Sequence, residues 1–209
     1  FSNFLKWAGG KRRLLKYLKE NIPSNYNSYF EPFFGGGALY FSELPKKAFL
    51  SDLNEKLINC YKNIVKNPFE VMEILKPMKY NKKEYYKIRS WLPENDVERA
   101  SCFIYLNRCC WNGLYRVNKK GEFNVPIGKY PKQRKIFDEN AILNLRDLLK
   151  NATLSVGDFQ EKTKNAKEND FIYFDPPYTV KHNNNGFVKY NESVFSWEDQ
   201  KRLASHIEK

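Results

Sequence analysis

"FEPFFGGGALYF", residues 30–41, followed shortly by "AFLSDLNEKLINCYKNIV", residues 48–65, decides the fold. A short strand at about Tyr29–Glu31 runs into three consecutive glycines, Gly35, Gly36 and Gly37, and then into a helix. Glycine permits positive φ and lets a ligand approach the backbone closely. A second strand ends near Asp52, and a helix from Asn54 carries Leu57, Ile58, Tyr61 and Ile64 on one face. Strand, glycine turn, helix, strand and acidic residue in that order make half of a doubly wound α/β fold. The turn departs from GxGxxG, which suits a nucleoside-type ligand without a pyrophosphate. Asp52 is then placed to accept hydrogen bonds from ribose hydroxyls. A plain flexible turn with Asp52 capping the next helix is the blander alternative.

The second decisive stretch is "NDFIYFDPPYTVKH", residues 169–182. Phe171, Ile172, Tyr173 and Phe174 read as a short, fully buried strand. Pro176 and Pro177 cannot donate ladder hydrogen bonds, so the strand is expected to span 171–175 and to leave the Asp175 carboxylate at its carboxyl end. In open α/β sheets ligands bind along that edge. Asp175 and the Pro176 carbonyl offer two acceptors without a competing amide, Pro177 stiffens the turn, and Tyr178 offers an aromatic face. Such a group suits methyl transfer to an aromatic amine, whose lone pair is delocalised and gains nucleophilicity when both its hydrogens are bound. Orientation and electrostatics then carry the catalysis.

Between these stretches, residues 68–110 show helical periodicity without βαβ alternation. Residues 111–130 read as a hairpin in which Val117 and Phe123-Asn124-Val125 flank the tight turn "NKKGE". Regular alternation resumes with a helix at about 139–150, a strand at 153–157, and a helix from Trp197. Lys and Arg number 36 against 24 Asp and Glu, a net charge of +12 that favours a polyanionic partner. Cys60, Cys102, Cys109 and Cys110 have no CxxC spacing, and His182 and His206 are the only histidines, so reduced thiols and no metal are expected. No segment approaches 18 consecutive apolar residues and no signal-peptide pattern opens the chain, so a cytoplasmic protein without membrane attachment is expected.

The motifs, in their order, resemble the Dam-type (D12 class) DNA adenine-N6 methyltransferases over almost the whole chain. "FLKWAGGKRRLL" (4–15) looks like that family's N-terminal motif and "FEPFFGGGALYF" its cofactor loop. "YLNRCCWNGLYRVNKKGEFNVPIGKY" (105–130) looks like its recognition hairpin, and "FVKYNESVFSWEDQKRLA" (187–204) is similar to the segment after Asp-Pro-Pro-Tyr. The resemblance implies a Rossmann-like class I methyltransferase sheet with an inserted, mostly helical DNA-recognition subdomain. The catalytic domain would comprise residues 1–65 and 136–209, and the target-recognition domain residues 66–135. Relatives continue with further strands, so C-terminal strands are expected to be missing here.

The same resemblance implies S-adenosylmethionine as cofactor, without metal, in a pocket lined by Trp7, Lys11, Phe33, Gly35, Gly37, Asp52 and Asp175, with Asp158 approaching its adenine. Trp7 and Lys11 by themselves are only an aromatic and a cation flanking a glycine turn. Double-stranded DNA is the implied partner of a bacterial, archaeal or phage-encoded protein, expected as a monomer. Lys6 and Arg116 are candidates for guanine contacts in the major groove. Trp111 would fill the space left by a flipped adenine, and Asn112, Leu114, Asn118 and Pro126 match other hairpin contact positions. Lys119 and Lys120 would meet phosphates. The hairpin's likeness to Dam-type readers implies GATC as target. Other readings are a catalytically inactive DNA-binding module and an amino-methyltransferase acting on cytosine N4 or RNA. Cytosine enzymes more often carry Ser-Pro-Pro-Tyr, so Asp175 favours adenine.

Overall fold

A computed structural model describes residues 4–118, 120–131, 135–177 and 195–208. Four parallel strands form one sheet: β1 (Tyr29–Glu31), β2 (Ala48–Asp52), β3 (Ala152–Val156) and β4 (Phe171–Ile172), in the spatial order β3-β2-β1-β4. Tyr29 lies in register with Ala48 on one side and with Phe171 on the other. The chain therefore steps outward from β1 to β2 and β3, then returns to the opposite side of β1 for β4. That reversal makes the carboxyl ends of β1 and β4 the switch point of the sheet, where α/β proteins hold their ligands. This is the Rossmann-like class I methyltransferase sheet with a helical insertion.

β4 is shorter and less buried than the expected 171–175 strand. Phe171 and Ile172 are only half-buried, and the pairing extends one residue further, where the Tyr173 amide donates to the Phe30 carbonyl at 2.8 Å. The cause is the partner strand. β1 ends at Glu31, so beyond Tyr173 there is no ladder left to join.

Helix α1 (Leu15–Lys19) precedes the sheet, and α2 (Tyr40–Glu43) is a single turn after the glycines, closed by Leu44 at φ +49°. α3 (Glu55–Lys66) starts where Asn54 accepts the Leu57 amide at 3.0 Å, an ordinary N-cap, and buries Leu57, Ile58, Tyr61 and Ile64. The insert then forms α4 (Pro68–Leu75), α5 (Lys82–Arg89) and α6 (Asp96–Cys109). α6 is buried nearly all round, from Ala100 to Asn107, because α3, α4 and α5 pack on different sides of it. The core is continuous from sheet to insert, joining Tyr29, Leu50 and Leu57 to Val71, Tyr85 and Ile104.

The hairpin folds as a loop pinned by two antiparallel pairs, Cys110 with Ile127 and Val117 with Phe123. Its turn is closed by the Asn118 amide donating to the Glu122 carbonyl at 2.8 Å. The chain returns to the sheet through α7 (Glu139–Leu149), and α8 (Phe159–Thr163) follows β3. α9 (Trp197–Ile207) is the last described helix, opened by a capping box of Ser196 and Asp199. All four cysteines are buried; burial pushes the Cys102 thiol up to about 12, far from a thiolate at neutral pH. Among the described residues no helix is long and apolar enough to cross a membrane.

Candidate functional site

An open cleft of about 520 Å³ lies over the carboxyl ends of β1, β2 and β4, within the usual size of small-molecule sites. Its floor is the turn after β1. Gly35 sits at φ +47°, and a Cβ built there would come within 2.8 Å of the Trp7 ring, so both conformation and space call for glycine. The Phe34 amide donates to the Ser51 carbonyl (2.8 Å) and the Tyr61 hydroxyl to the Gly35 carbonyl (3.1 Å), which ties the turn to β2 and α3.

Three acids close the three strands beneath the cleft. At the end of β2, Asp52 accepts the Gly35 amide at 2.9 Å and the Asn54 amide at 2.8 Å. Burial nevertheless dominates over these amides and pushes its carboxyl above the usual range. At the end of β1, Glu31 is 2% exposed and accepts from the Tyr29 hydroxyl at 2.7 Å. Burial pushes it up to about 8, with neighbouring Asp175 and Asp52 adding to the effect. After β4, Asp175 accepts the Lys11 ammonium at 2.5 Å, the pair leaving 22% and 13% of their side chains exposed. Its carboxyl is also raised, burial outweighing Lys11.

The N-terminal segment reaches this cleft because α6 holds it. The Lys6 amide donates to Asn107 Oδ1 (2.9 Å) and Asn107 Nδ2 to the Lys6 carbonyl (2.7 Å), a reciprocal clamp. Trp7 then stacks on Tyr115 at 5.6 Å, and Lys11 turns its ammonium toward Asp175 while also donating to the Gly9 carbonyl at 3.0 Å.

Of the expected cofactor residues, Trp7, Lys11, Phe33, Gly35, Gly37, Asp52 and Asp175 all line this one cleft, joined by Pro176 and Pro177. Asp158 does not line it. Its Oδ1 accepts the Gln160 amide at 3.0 Å, capping α8, and its Oδ2 pairs with Arg202 of α9 at 2.8 Å. Tyr178 and Lys119 lie outside the described residues.

The expected DNA-facing residues gather on the hairpin and beside it. Trp111 is 52% exposed, its amide donating to the Pro126 carbonyl at 2.9 Å, and Asn112 adopts φ +53°. Lys6 rests its ammonium 4.8 Å over the Tyr130 ring and donates to that hydroxyl at 3.2 Å. Exposed Arg116 donates to Asn124 Oδ1 at 2.8 Å, and Leu114 is half-buried against the core. Asn118 organises the tip, its Oδ1 accepting the Lys120 amide at 2.9 Å and the Glu122 amide at 3.0 Å. That is an internal bond set, whereas Lys120 itself is exposed.

Glu31 and Tyr115 also line the cleft without having been singled out in the sequence. Glu31 carries the same signal that marks Asp52 and Asp175, an acid ending a strand, within the quoted "FEPFF". Tyr115 had no signal of its own, since its place beside Trp7 depends on the fold.

Residues 7–209 match the family model described as D12 class N6 adenine-specific DNA methyltransferase. The chain is 44% identical over 210 residues to the Type II methyltransferase M1.LlaDCHI of Lactococcus lactis subsp. cremoris, covering 96% of this chain and 74% of that protein. It is 43% identical over 230 residues to the Type II methyltransferase M.MjaIII of Methanocaldococcus jannaschii, covering 99% and 79%. It is 35% identical over 208 residues to the DNA adenine methylase of Haemophilus influenzae, covering 96% and 72%. Fold, cleft and relatives converge: the chain belongs to the D12 class of N6 adenine-specific DNA methyltransferases.

Proposed function

We propose that the cleft binds S-adenosylmethionine and that the protein methylates N6 of an adenine flipped from duplex DNA, within GATC. The observation that carries this reading is the Lys11–Asp175 pair at the mouth of a glycine-floored cleft, with Pro176 and Pro177 beside it. The residues present fit the cofactor. The cleft's volume suits a nucleoside joined to an amino acid, Trp7 offers a ring, Asp52 has lone pairs left after its two amide bonds, and acidic groups suit cationic parts. When bound, S-adenosylmethionine supplies an activated methyl group on a sulfonium.

The protein's part is orientation and charge. Asp175 accepts one hydrogen of the adenine amine and the Pro176 carbonyl accepts the other, which returns electron density to nitrogen. As the N–C bond would form and the donor's methyl–sulfur bond would break, its electron pair staying on sulfur as a neutral thioether, the nitrogen sheds one proton, and Asp175, made more basic by burial, is the acceptor at hand. Lys11 occupies one direction on Oδ1 and fixes the carboxylate's rotamer. Tyr178 stacks on the extruded base, whose unstacking costs a few kcal/mol. Residues 66–135 form the target-recognition unit and the remainder the catalytic unit. Arg116 in the hairpin and Lys6 beside it read guanines, and Trp111 fills the gap in the stack.

Tritium transfer from labelled cofactor to GATC duplexes, against duplexes of scrambled sequence, tests the reading. Labelling is expected on the GATC duplex, with little on the scrambled one. Equal labelling of both would remove the proposed target.

A further inference from the structure

The hairpin alternates. Tyr115 and Val117 line the cleft, whereas Arg116 between them is exposed and pairs with Asn124 on the outer side. One extended segment thus has a cleft face and a solvent face, as strand geometry requires. From the cleft face into the core, four rings make a continuous bridge. Trp7 lies 5.6 Å from Tyr115 and 6.3 Å from Phe103; Tyr115 lies 5.6 Å from Phe103 and 5.9 Å from Phe123. Trp7 in turn presses on Gly35, the floor of the cleft.

We infer that Tyr115 is a positioning residue that couples occupancy of the cleft to DNA binding by the outer face of the same hairpin. The inference rests on the proposed reading of the cleft as the cofactor site and of the hairpin as the DNA reader. Among the described residues the hairpin's own pairing is two antiparallel pairs, Val117 with Phe123 and Cys110 with Ile127, and a few backbone bonds such as the Asn124 amide to the Arg116 carbonyl at 3.1 Å, and so short a ribbon is marginal in isolation. A ligand packed against Tyr115 and Val117 orders the segment that presents Arg116. The duplex then meets a hairpin whose ordering cost has already been met. Coupling of this kind is reciprocal, so the duplex tightens the cleft's ligand by the same factor.

The experiment is a binding cycle with S-adenosylhomocysteine and a GATC duplex, each titrated with and without the other, on wild type, Tyr115→Leu and Tyr115→Phe. In wild type each ligand is expected to tighten the other by about fivefold or more. Tyr115→Phe, which keeps the ring stack, retains that factor. Tyr115→Leu drops it to within about twofold of unity while each ligand still binds alone, a loss that a merely structural role does not produce. Val117→Ala, on the same face, lowers the factor partway and takes the place of Tyr115→Leu if that variant loses its fold. Binding of both ligands without coupling, or undiminished coupling in Tyr115→Leu and Val117→Ala, overturns the inference alone. Failure of wild type to bind S-adenosylhomocysteine or the duplex overturns the proposed function, and the inference with it.

Discussion

Glu31, Asp52 and Asp175 end or follow three neighbouring strands, and their differences come from what each side chain touches. Asp52 is tied by two backbone amides, Glu31 is sealed against Tyr29, and Asp175 alone meets a cation at the cleft's mouth. That supports the chemical role proposed for Asp175 and predicts the outcome of Asp175→Ala. Duplex binding persists, because the hairpin is untouched, while turnover falls by about a hundredfold or more, the usual effect of removing one hydrogen-bonding group aimed at the reacting centre. Lys11 then loses a partner in a partly solvated position, so the fold survives. Activity undiminished in Asp175→Ala sinks the proposed amine acceptor. Glu31 makes a different prediction, about pH. Its carboxyl rises from an ordinary 4.5 to about 8 in the folded state, so between those values the native protein holds a proton that the unfolded chain has released. Stability therefore falls as pH rises through this window, by up to about 1.4 kcal/mol per pH unit from this group. Asp52 and Asp175, also raised, act with the same sign. Glu31→Gln removes the Glu31 share. Urea midpoints measured from pH 5 to 8 should decline less steeply in the variant, and parallel profiles would show that Glu31 does not titrate as argued.

At the scale of elements, the sequence is legible where a short run carries its own boundary. β1 and β2 end where an acid meets a turn, and α3 begins at Asn54 because a side-chain oxygen there can take the Leu57 amide. The glycines marked the floor of the cleft, and the two prolines marked a segment that lines it. What was not legible depends on distant neighbours. The length of β4 is set by β1, not by its own apolar run, so the expected five residues became two with one further ladder bond. Asp158 carries the strand-end signal but α9 brings Arg202 to it, and the carboxylate is engaged outside the cleft. Tyr115 joins the cleft only because Asn107 clamps Lys6 and so sets Trp7 beside the hairpin. Side-chain alternation could separate the hairpin's two faces, but not say what each face meets.

For the molecule as a whole, charge separates the two kinds of binding proposed for it. The excess of cations is 12, and the hairpin presents exposed Arg116 and Lys120, with Lys6 beside it. The cleft instead mixes acids with lysines: Glu31, Asp52, Glu55 and Asp175 against Lys11 and Lys56. Duplex binding should therefore release counterions from phosphates, whereas binding in the cleft should release few. The slope of log affinity against log salt is about −0.9 for each phosphate neutralised, so three or more contacts give about −2.7 or steeper. Between 50 and 200 mM salt that is a loss of roughly fortyfold or more in duplex affinity. S-adenosylhomocysteine affinity over the same range should change by less than about twofold, since its charged contacts lie in a partly enclosed cleft where screening is weak. Fluorescence anisotropy of a labelled duplex and calorimetry of the nucleoside measure the two slopes on one preparation. A flat duplex line would mean that the positive charge does not anchor DNA, and a steep nucleoside line would mean that the cleft's ligand is held by exposed lysines rather than by the glycine floor and the strand-end acids.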